Sequence, residues 1–420
     1  MTQRLHFFLI ICVVLSLPFS IPNVQLNSFF ILLLSANFIL LVTFCKKDIN
    51  IKSKKILILF ILVYFIHVFG LFKSDNMHEA IFELQKKLSI FIFPLILLFS
   101  PKLNLKQVRV ILLCFVTSCL LTGLFSLSVA SYRFFSWQDS TFFFYHSLSG
   151  IVGMHGTYLS IYFCFSIVIL LSIYFDTIHT ARITEKIIYY FSLLTLTILV
   201  LLLAGRLQII ILVLGVIAYS LFYFHKKIGL FKSLILSVLI GGFILGSALL
   251  SPKIRDRFKE GLNYDIGNRW GEQQVRALIW SSAFELIKMN PITGVGTGDV
   301  QDELHKYYLS HEYTSLTYLE NTKYNAHNQF LETAVGLGIP GLIVLLACFM
   351  ASLVYAIKHR NILYFVFTII FMISCMTESL LERQSGIVFY AFFNSFLYLN
   401  NPNKKDDERP LDNSVRSKYI

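Results

Sequence analysis

The chain has 420 residues, of which 56 % are hydrophobic and only 14 % are charged, and its formal net charge is +12. Its mean hydropathy of +0.69 excludes a soluble globular domain. The positive charge is spread over short connections without a basic and aromatic platform, so it does not indicate nucleic-acid binding. The composition predicts an all-α, polytopic membrane protein, because the apolar runs have the length of helices rather than barrel strands.

About twelve apolar segments follow one another, each near the length needed to cross a hydrocarbon core of about 30 Å. The first lacks the small-residue cleavage site of a signal peptide and is followed at once by a second apolar run. We therefore expect it to be a retained span, with a cleaved signal peptide as the alternative. The predicted spans are 5–21, 28–44, 56–72, 80–99, 108–130, 153–175, 187–204, 207–224, 230–250, 331–357, 362–380 and 384–400.

Lysine and arginine cluster in alternate connections, and cytoplasmic connections retain positive charge. With a cytoplasmic N-terminus, the basic stretches that share one side are 45–55, 101–109, 182–186, 225–232, 358–360 and the tail from Lys404. We therefore expect both ends of the chain in the cytoplasm and the one long connection in the periplasm. The predicted organisation is nine spans in 1–250, a periplasmic loop in 251–328, three spans in 329–400 and a cytoplasmic tail in 401–420.

The long connection contains RWGEQQVRALIWSSAFELIKM, residues 269–289, whose apolar residues recur at helical spacing. This pattern predicts an amphipathic helix that ends at Asn290 and Pro291. The next stretch, ITGVGTGD, has three glycines but no preceding strand, so a turn is favoured over a dinucleotide-binding site.

Several catalytic motifs are absent from the sequence. The His-Glu pairs at 78–79 and 311–312 lack the second histidine of a zinc protease, and no G-x-S-x-G elbow or P-loop occurs. The seven cysteines lie in or at the ends of predicted spans, which indicates neither a disulfide framework nor a Cys-based metal site. These patterns exclude a metalloprotease and a P-loop enzyme.

Four basic residues are placed at the predicted outer face. Arg206 follows a long apolar run and predicts a tight turn; a charge there is functional by default, with a snorkelling arginine as the alternative. Lys86 and Lys87 oppose the positive-inside rule, which fits an anion site or neutralisation by nearby carboxylates. Arg276 lies one turn before Trp280, so a cation–π pair or a solvated charge is its alternative to a functional role.

His327 directly precedes the span that begins near Leu331, and Asn325 and Asn328 are candidate helix caps. The positive end of a helix dipole disfavours a protonated imidazole, which makes His327 a candidate proton acceptor, with a polar interface residue as the alternative. Close helix packing in the membrane is predicted for the glycines that follow, Gly336, Gly338 and Gly341.

These residues resemble the signature of the bacterial O-antigen ligase and polymerase family: His, then Asn, Ser or Gln, nine residues, Gly, two residues, and Gly, Thr or Tyr. The matching positions are His327, Asn328, Gly338 and Gly341. The likeness covers about residues 80–395. Its supporting matches are Arg206 after the apolar run, RALIWSSAFELIKMNPITGVGTGD from Arg276, HGTYLSIYF at 155–163 and TESLLERQSG at 377–386.

The resemblance implies transfer of a glycan from undecaprenyl pyrophosphate to an acceptor hydroxyl, such as one on lipid A-core, at the periplasmic face of the bacterial inner membrane. Arg206 and Arg276 would hold the pyrophosphate through forked donors, and His327 would deprotonate the hydroxyl. No metal, nucleotide or other cofactor is required, since the donor is already activated. We expect further substrate contacts from Asn328, Lys86, Lys87, His155, Tyr158, Trp280, Glu378 and Arg383.

Three alternatives remain open at the level of sequence. A polymerase of the same family would use a second lipid-linked glycan as acceptor, and the signature does not separate it from a ligase. A flippase for lipid-linked glycans would need basic residues deep in the spans, whereas the candidates lie at one face. A purely structural membrane protein is the third alternative.

Overall fold

The computed structural model describes residues 2–19, 26–44, 55–174, 178, 180–203, 205–252, 254–256, 272–317 and 323–401. Within these ranges the chain forms α-helices joined by turns and short 3-10 segments, and no strand is present. The predicted all-α class is confirmed.

Each predicted span overlaps one of the helices. Their bounds are α1 Thr2–Ser16, α2 Leu26–Phe44, α3 Lys55–Gly70, α4 Met77–Phe99, α5 Leu105–Trp137, α6 Tyr145–Ser149, α7 Gly156–Tyr174, α8 Ile183–Leu203, α9 Arg206–Ile228, α10 Leu230–Leu250, α11 Glu272–Met289, α12 Val300–Ser310, α13 Thr314–Thr317, α14 Gln329–Lys358, α15 Ile362–Ser374 and α16 Gln384–Leu399.

Among the residues that the structure describes, six helices are long and apolar enough to cross a membrane by length and composition. Their apolar stretches are Leu26–Thr43, Ile56–Lys73, Leu105–Trp137, Gly156–Tyr174, Ile183–Leu203 and Gln329–Lys358. Shorter apolar helices occur at Gln3–Ser16, Arg206–Ile217, Leu230–Phe243 and Ile362–Ser374. The count of twelve spans and the periplasmic side of 251–328 stay predictions, and the basic residues of 45–54 and 402–420 lie outside the described residues.

The described segments of the long connection confirm two local predictions. The amphipathic helix is present as Glu272–Met289, while residues 269–271 lie outside the described part. Its apolar face, Ile279, Ala283 and Leu286, is buried against Leu304 of α12. The ITGVGTGD stretch forms turns rather than a helix or a strand.

Helix α14 contains a break that the apolar pattern does not predict. Gly338 has φ 67° and ψ −174°, so the helix is interrupted there. The turn after α11 docks on the break: Val295 N–H donates to the Val335 carbonyl at 2.8 Å, and Ile339 N–H donates to the Pro291 carbonyl at 2.8 Å. A Cβ on Gly338 would overlap the turn, so this signature glycine admits the Pro291–Val295 turn instead of the predicted packing between helices.

Helix α15 ends six residues before the predicted limit of its span. The prediction extended to residue 380, but the helix ends at Ser374 and a 3-10 turn occupies Leu380–Glu382. The Cys375 carbonyl accepts a hydrogen bond from the Gln329 N–H at 2.8 Å, which draws the chain toward α14. This early end creates a short connection, residues 375–383, that we call the polar loop.

Helix α16 follows the polar loop and is buried along most of its length. It packs mainly on α4, and its Phe393 ring lies 4.8 Å from Phe115 and 4.9 Å from Phe165, measured between ring centroids. Each such aromatic pair contributes about 0.5–1.5 kcal/mol beyond area burial. The packing fixes the polar loop beside α4 and α14.

Candidate functional site

The polar loop is fastened to the first turn of α14 by one buried side chain. Besides the backbone contact of Gln329 with Cys375, the Gln329 Oε1 accepts from Leu381 N–H at 2.6 Å, and its Nε2 donates to Glu382 Oε1 at 3.1 Å. Hydrogen bonds shielded from water are stronger electrostatically than exposed ones. The loop therefore has a defined position relative to α14.

His327 lies two residues before α14 in an unusual backbone conformation. Its φ is 45°, and its N–H donates to Asn325 Oδ1 at 3.0 Å. The Asn328 side chain caps α14 by accepting from the N–H groups of Phe330 and Leu331 at 2.9 and 3.2 Å, as the sequence predicts. A left-handed residue other than glycine is strained by about 1–3 kcal/mol and often marks a functional position.

The imidazole of His327 pairs with the carboxylate of Glu378 on the polar loop. His327 Nδ1 lies 3.3 Å from Glu378 Oε2, and the two side chains are 30 % and 6 % exposed. Burial raises the pKa of Glu378, but the hydrogen bond and positive charge of His327 outweigh burial, and the pKa is lower than its usual value. Glu378 is therefore ionised at neutral pH. With Nδ1–H donating to it, Nε2 is the nitrogen that accepts a proton.

Helix α11 reaches both halves of this pair. The Arg276 Nη1 donates to the Thr377 carbonyl at 3.3 Å, next to Glu378. One turn further on, Trp280 Nε1 donates to the Ala326 carbonyl at 3.1 Å, next to His327. The amphipathic helix thus brings Arg276 and Trp280 to the candidate site, rather than only covering the membrane-embedded helices.

The start of α7 also contacts the polar loop. The buried Tyr158 hydroxyl donates to the Ser379 carbonyl at 3.4 Å. His155 lies just before α7, and burial lowers its pKa to about 4, although the nearby charge of Glu378 opposes the shift. Arg383, which is exposed, also acts electrostatically on His155. The structure thus places His155 and Tyr158 near the loop, of which Arg383 is the last residue.

Lys87 is buried and paired with carboxylates on two elements. It is 1 % exposed, and its Nζ lies 2.6 Å from Glu83 Oε2 and 2.5 Å from Glu382 Oε2. Lys86 also pairs with Glu83 and lies over the Phe82 ring, 4.8 Å from its centroid. These contacts favour local neutralisation over an anion site. Substrate contact by either lysine stays a prediction.

Helix α8 ends at Leu203 and Arg206 begins α9 directly after Gly205, so the connection between the two helices is short, while residue 204 lies outside the described residues. The Gln208 carbonyl accepts from Cys164 Sγ at 3.7 Å, which ties this end of α9 to α7. The polar loop joins Arg276 to His327, whereas the approach of Arg206 to that pair stays a prediction.

Sequence reasoning missed two buried polar residues that hold the site. Glu332 is 4 % exposed, and its Oε2 accepts from the Ala326 N–H at 2.6 Å. A carboxylate within an apolar run is the signal that identifies it, because intramembrane charges are functional by default. Gln329 carries no comparable signal, since an uncharged amide at the start of a helix is common.

A cavity of about 150 Å³ lies beside this network. Its lining includes Lys87, Glu332, Glu382 and the exposed Lys323, but neither Arg276 nor His327. A water needs about 10–15 Å³ of such space, so the cavity has room for several. Among the described residues, no group of three or more His, Cys, Asp or Glu is arranged to hold a metal ion.

Comparison with known families supports the sequence resemblance. Residues 191–346 match the family model described as O-antigen ligase. The resemblance to the O-antigen ligase and polymerase family is confirmed. The matched region contains Arg206, Arg276 and His327, while Glu378 and Arg383 follow it. No curated protein matches the chain.

The likeness to the O-antigen ligase family implies a membrane enzyme of the glycan-transferring or ligase type, with a lipid-linked glycan and an acceptor as its general substrates. The His327–Glu378 pair has the arrangement of a base oriented by a carboxylate. Arg276 adds a guanidinium, whose forked donors suit phosphate oxygens. The site is therefore equipped for proton abstraction beside an anionic group.

Proposed function

We propose that the protein transfers a glycan from undecaprenyl pyrophosphate to an acceptor hydroxyl on lipid A-core, at the periplasmic face of the bacterial inner membrane. One observation carries this proposal: two adjacent residues of the polar loop bind the two groups. The Glu378 carboxylate lies 3.3 Å from His327 Nδ1, and the Thr377 carbonyl lies 3.3 Å from Arg276 Nη1. A base and an anion-binding group are thereby held side by side.

In the proposed reaction, His327 Nε2 takes the proton of the acceptor hydroxyl. The hydroxyl oxygen attacks the anomeric carbon, the bond from that carbon to the diphosphate oxygen breaks, and the electron pair leaves with the diphosphate. Glu378 stabilises the imidazolium that forms, as a buried carboxylate does for a histidine base. General-base catalysis of this kind contributes about 10²- to 10⁴-fold in rate.

Arg276 and Arg206 are proposed to hold the diphosphate as its negative charge increases. Arginine suits this role because its guanidinium is always charged and makes two parallel hydrogen bonds to phosphate oxygens. The exposed Arg383 and the half-buried His155 are proposed to line the substrate path, together with Trp280. Asn328, Tyr158, Lys86 and Lys87 already have intramolecular partners, so their contribution to substrate binding would be through the shape of the site.

Reconstitution tests the transferase directly. Purified protein in proteoliposomes, given a lipid-linked glycan donor and lipid A-core, should form a glycosidic product, and His327→Ala should reduce the rate by about 100-fold or more. His311→Ala is a matched control, because His311 is exposed and stacks on Tyr307 with ring centroids 4.0 Å apart. Carrier movement across the vesicle without a glycosidic product would reject the transferase in favour of a flippase.

The acceptor separates the ligase from the polymerase of the same family. In the reconstituted reaction, a product that grows on the carrier lipid, with none on lipid A-core, would favour the polymerase. Cells that lack the protein provide a second test: long glycan left on the carrier supports the ligase, and single repeat units on the acceptor support the polymerase. Unchanged surface glycan in a strain with both His327→Ala and Arg206→Ala would indicate a structural protein.

A further inference from the structure

One buried carboxylate lies between the two segments that carry the proposed base and its partner. Glu332 is in the first turn of α14, and an apolar stretch with no charged residue follows it as far as Lys358. Its Oε2 accepts from the Ala326 N–H at 2.6 Å and from the Ser379 hydroxyl at 3.5 Å. Ala326 directly precedes His327, and Ser379 directly follows Glu378, so a single oxygen atom fastens a neighbour of each.

A buried carboxylate at this position needs a reason. Desolvation of an ionised group is costly unless hydrogen bonds and opposite charges compensate it. Glu332 obtains hydrogen bonds from the two site segments, and it lines the same cavity as Lys87. An apolar residue here would pack equally well in a membrane helix, but it would leave the Ala326 N–H without its acceptor.

Gln329, three residues earlier in the same turn of α14, holds the polar loop at further points. It binds the polar loop at Cys375 and Leu381, on both sides of Glu378. Because Glu332 and Gln329 both bind the polar loop, they restrict its rotation as well as its distance from α14. A displacement of about 1 Å in a catalytic group can reduce a rate by about 10²-fold. The restraint therefore matters for His327 and Glu378, whose atoms are already 3.3 Å apart.

We propose that Glu332 is a positioning residue that sets the approach of His327 to Glu378. The inference rests on the proposed function, because Glu332 would affect the reaction only by positioning the proposed base, His327, without contacting substrate. Its role is that of a hydrogen-bond acceptor. A residue that acts as an acceptor is replaceable by glutamine, whereas a residue that transfers protons is not.

Glu332→Gln and Glu332→Leu separate these roles. Glutamine keeps an oxygen that accepts from Ala326 and Ser379, so Glu332→Gln should retain kcat within about fivefold, whereas Glu332→Leu should lower kcat by about 10- to 100-fold with the donor KM nearly unchanged. If Glu332→Gln is as impaired as Glu332→Leu, the carboxylate acts by its charge or its proton and the proposal is wrong. Full activity of Glu332→Leu would also overturn it.

A double substitution tests whether Glu332 acts through the pair. In a Glu378→Gln background, Glu332→Leu should lower kcat by less than about threefold, because residues that act as one unit are not additive. Independent, multiplicative losses would mean that the Glu332→Leu effect is a general loss of structure.

Ser379→Ala keeps the proposal testable if Glu332→Leu does not fold. It removes one of the two donors to Glu332 and should lower kcat by about threefold or more. Ser352→Ala is the matched control, since Ser352 is a buried serine on the same helix, bonded to the Cys348 carbonyl at 2.9 Å and remote in sequence from the site. Equal kcat values for the two serine variants would overturn the proposal.

Amide hydrogen exchange distinguishes failure of this inference from failure of the proposed function. In Glu332→Leu, peptides that cover 323–331 and 375–383 should exchange faster than in the wild type, and this readout needs no substrate. Faster exchange in a protein without transferase activity would leave the positioning role intact and reject the function. Unchanged exchange in an active protein would reject the positioning role alone.

Discussion

Replacing Glu378 by glutamine removes a negative charge that His327, the proposed base, would need most once it has taken a proton. The glutamine oxygen still accepts from Nδ1–H in the ground state, so the main loss falls on the imidazolium formed during reaction. A hydrogen bond to a charged group contributes about 1.5–3 kcal/mol, and solvent screens it little because Glu378 is only 6 % exposed. At about 1.36 kcal/mol per tenfold, the expected loss in kcat is about 10- to 100-fold.

The measurement is the rate of glycan transfer from lipid-linked donor to lipid A-core in proteoliposomes, with kcat and the donor KM determined separately. We expect the donor KM to change by less than about threefold, because the substitution removes stabilisation specific to the transition state. Glu285→Gln is the control, since the half-exposed Glu285 lies outside the polar loop and pairs with Lys288 on its own helix at 2.7 Å. A Glu378→Gln enzyme within twofold of the wild-type kcat, beside an inactive His327→Ala, would refute the reasoning.

Three further predictions concern stability, measured by thermal denaturation in detergent. Gly338→Ala should lower the melting temperature, because a Cβ at φ 67° would overlap the Ile292 carbonyl; an unchanged melting temperature would contradict the docked turn. The pKa of His155 is about 4 when folded and ordinarily 6.5, so the unfolded chain binds the proton first and stability should fall by up to about 3 kcal/mol as pH decreases from 6.5 to 4. His155→Gln should remove that decrease. If the stability of wild type and variant depended on pH in the same way, His155 would not be its cause. Lys87→Met should destabilise the protein by about 3–5 kcal/mol because Glu382 loses its cation, and adding Glu382→Gln should recover part of the loss; no recovery would mean that the ion pair is not the cause.

The helices were predictable because apolar runs of sufficient length have few alternatives in a membrane. The predictions fail where a tertiary contact decides the local structure. Gly338 breaks α14 because the Pro291–Val295 turn docks there, and the apolar pattern carries no sign of that turn. The early end of α15 depends likewise on the bond from Gln329 to Cys375.

The candidate site was predictable only as far as short motifs extend. His327 and Arg276 each belong to a recognisable stretch, and the structure joins them through the polar loop. The sequence left open whether Lys87 binds an anion or is neutralised, because its partner Glu382 is 295 positions away. Glu332 was missed because its role depends on two groups, Ala326 and Ser379, that meet only in the folded chain.

The ion pairs of Lys87 also bear on the order in which the membrane helices assemble. Lys87 lies near the outer end of its predicted span, where an unpaired lysine is less unfavourable than the value of about 2.5–3.5 kcal/mol at the bilayer centre, and Glu382 is synthesised 295 residues later. Glu83 lies one turn before Lys87 on α4, so the nascent helix carries its own counter-ion while it inserts. Biogenesis can therefore proceed with the ammonium half-satisfied, and the bond to Glu382 forms only when the last two helices arrive. A chain that has not yet been extended as far as Glu382 would lack this bond.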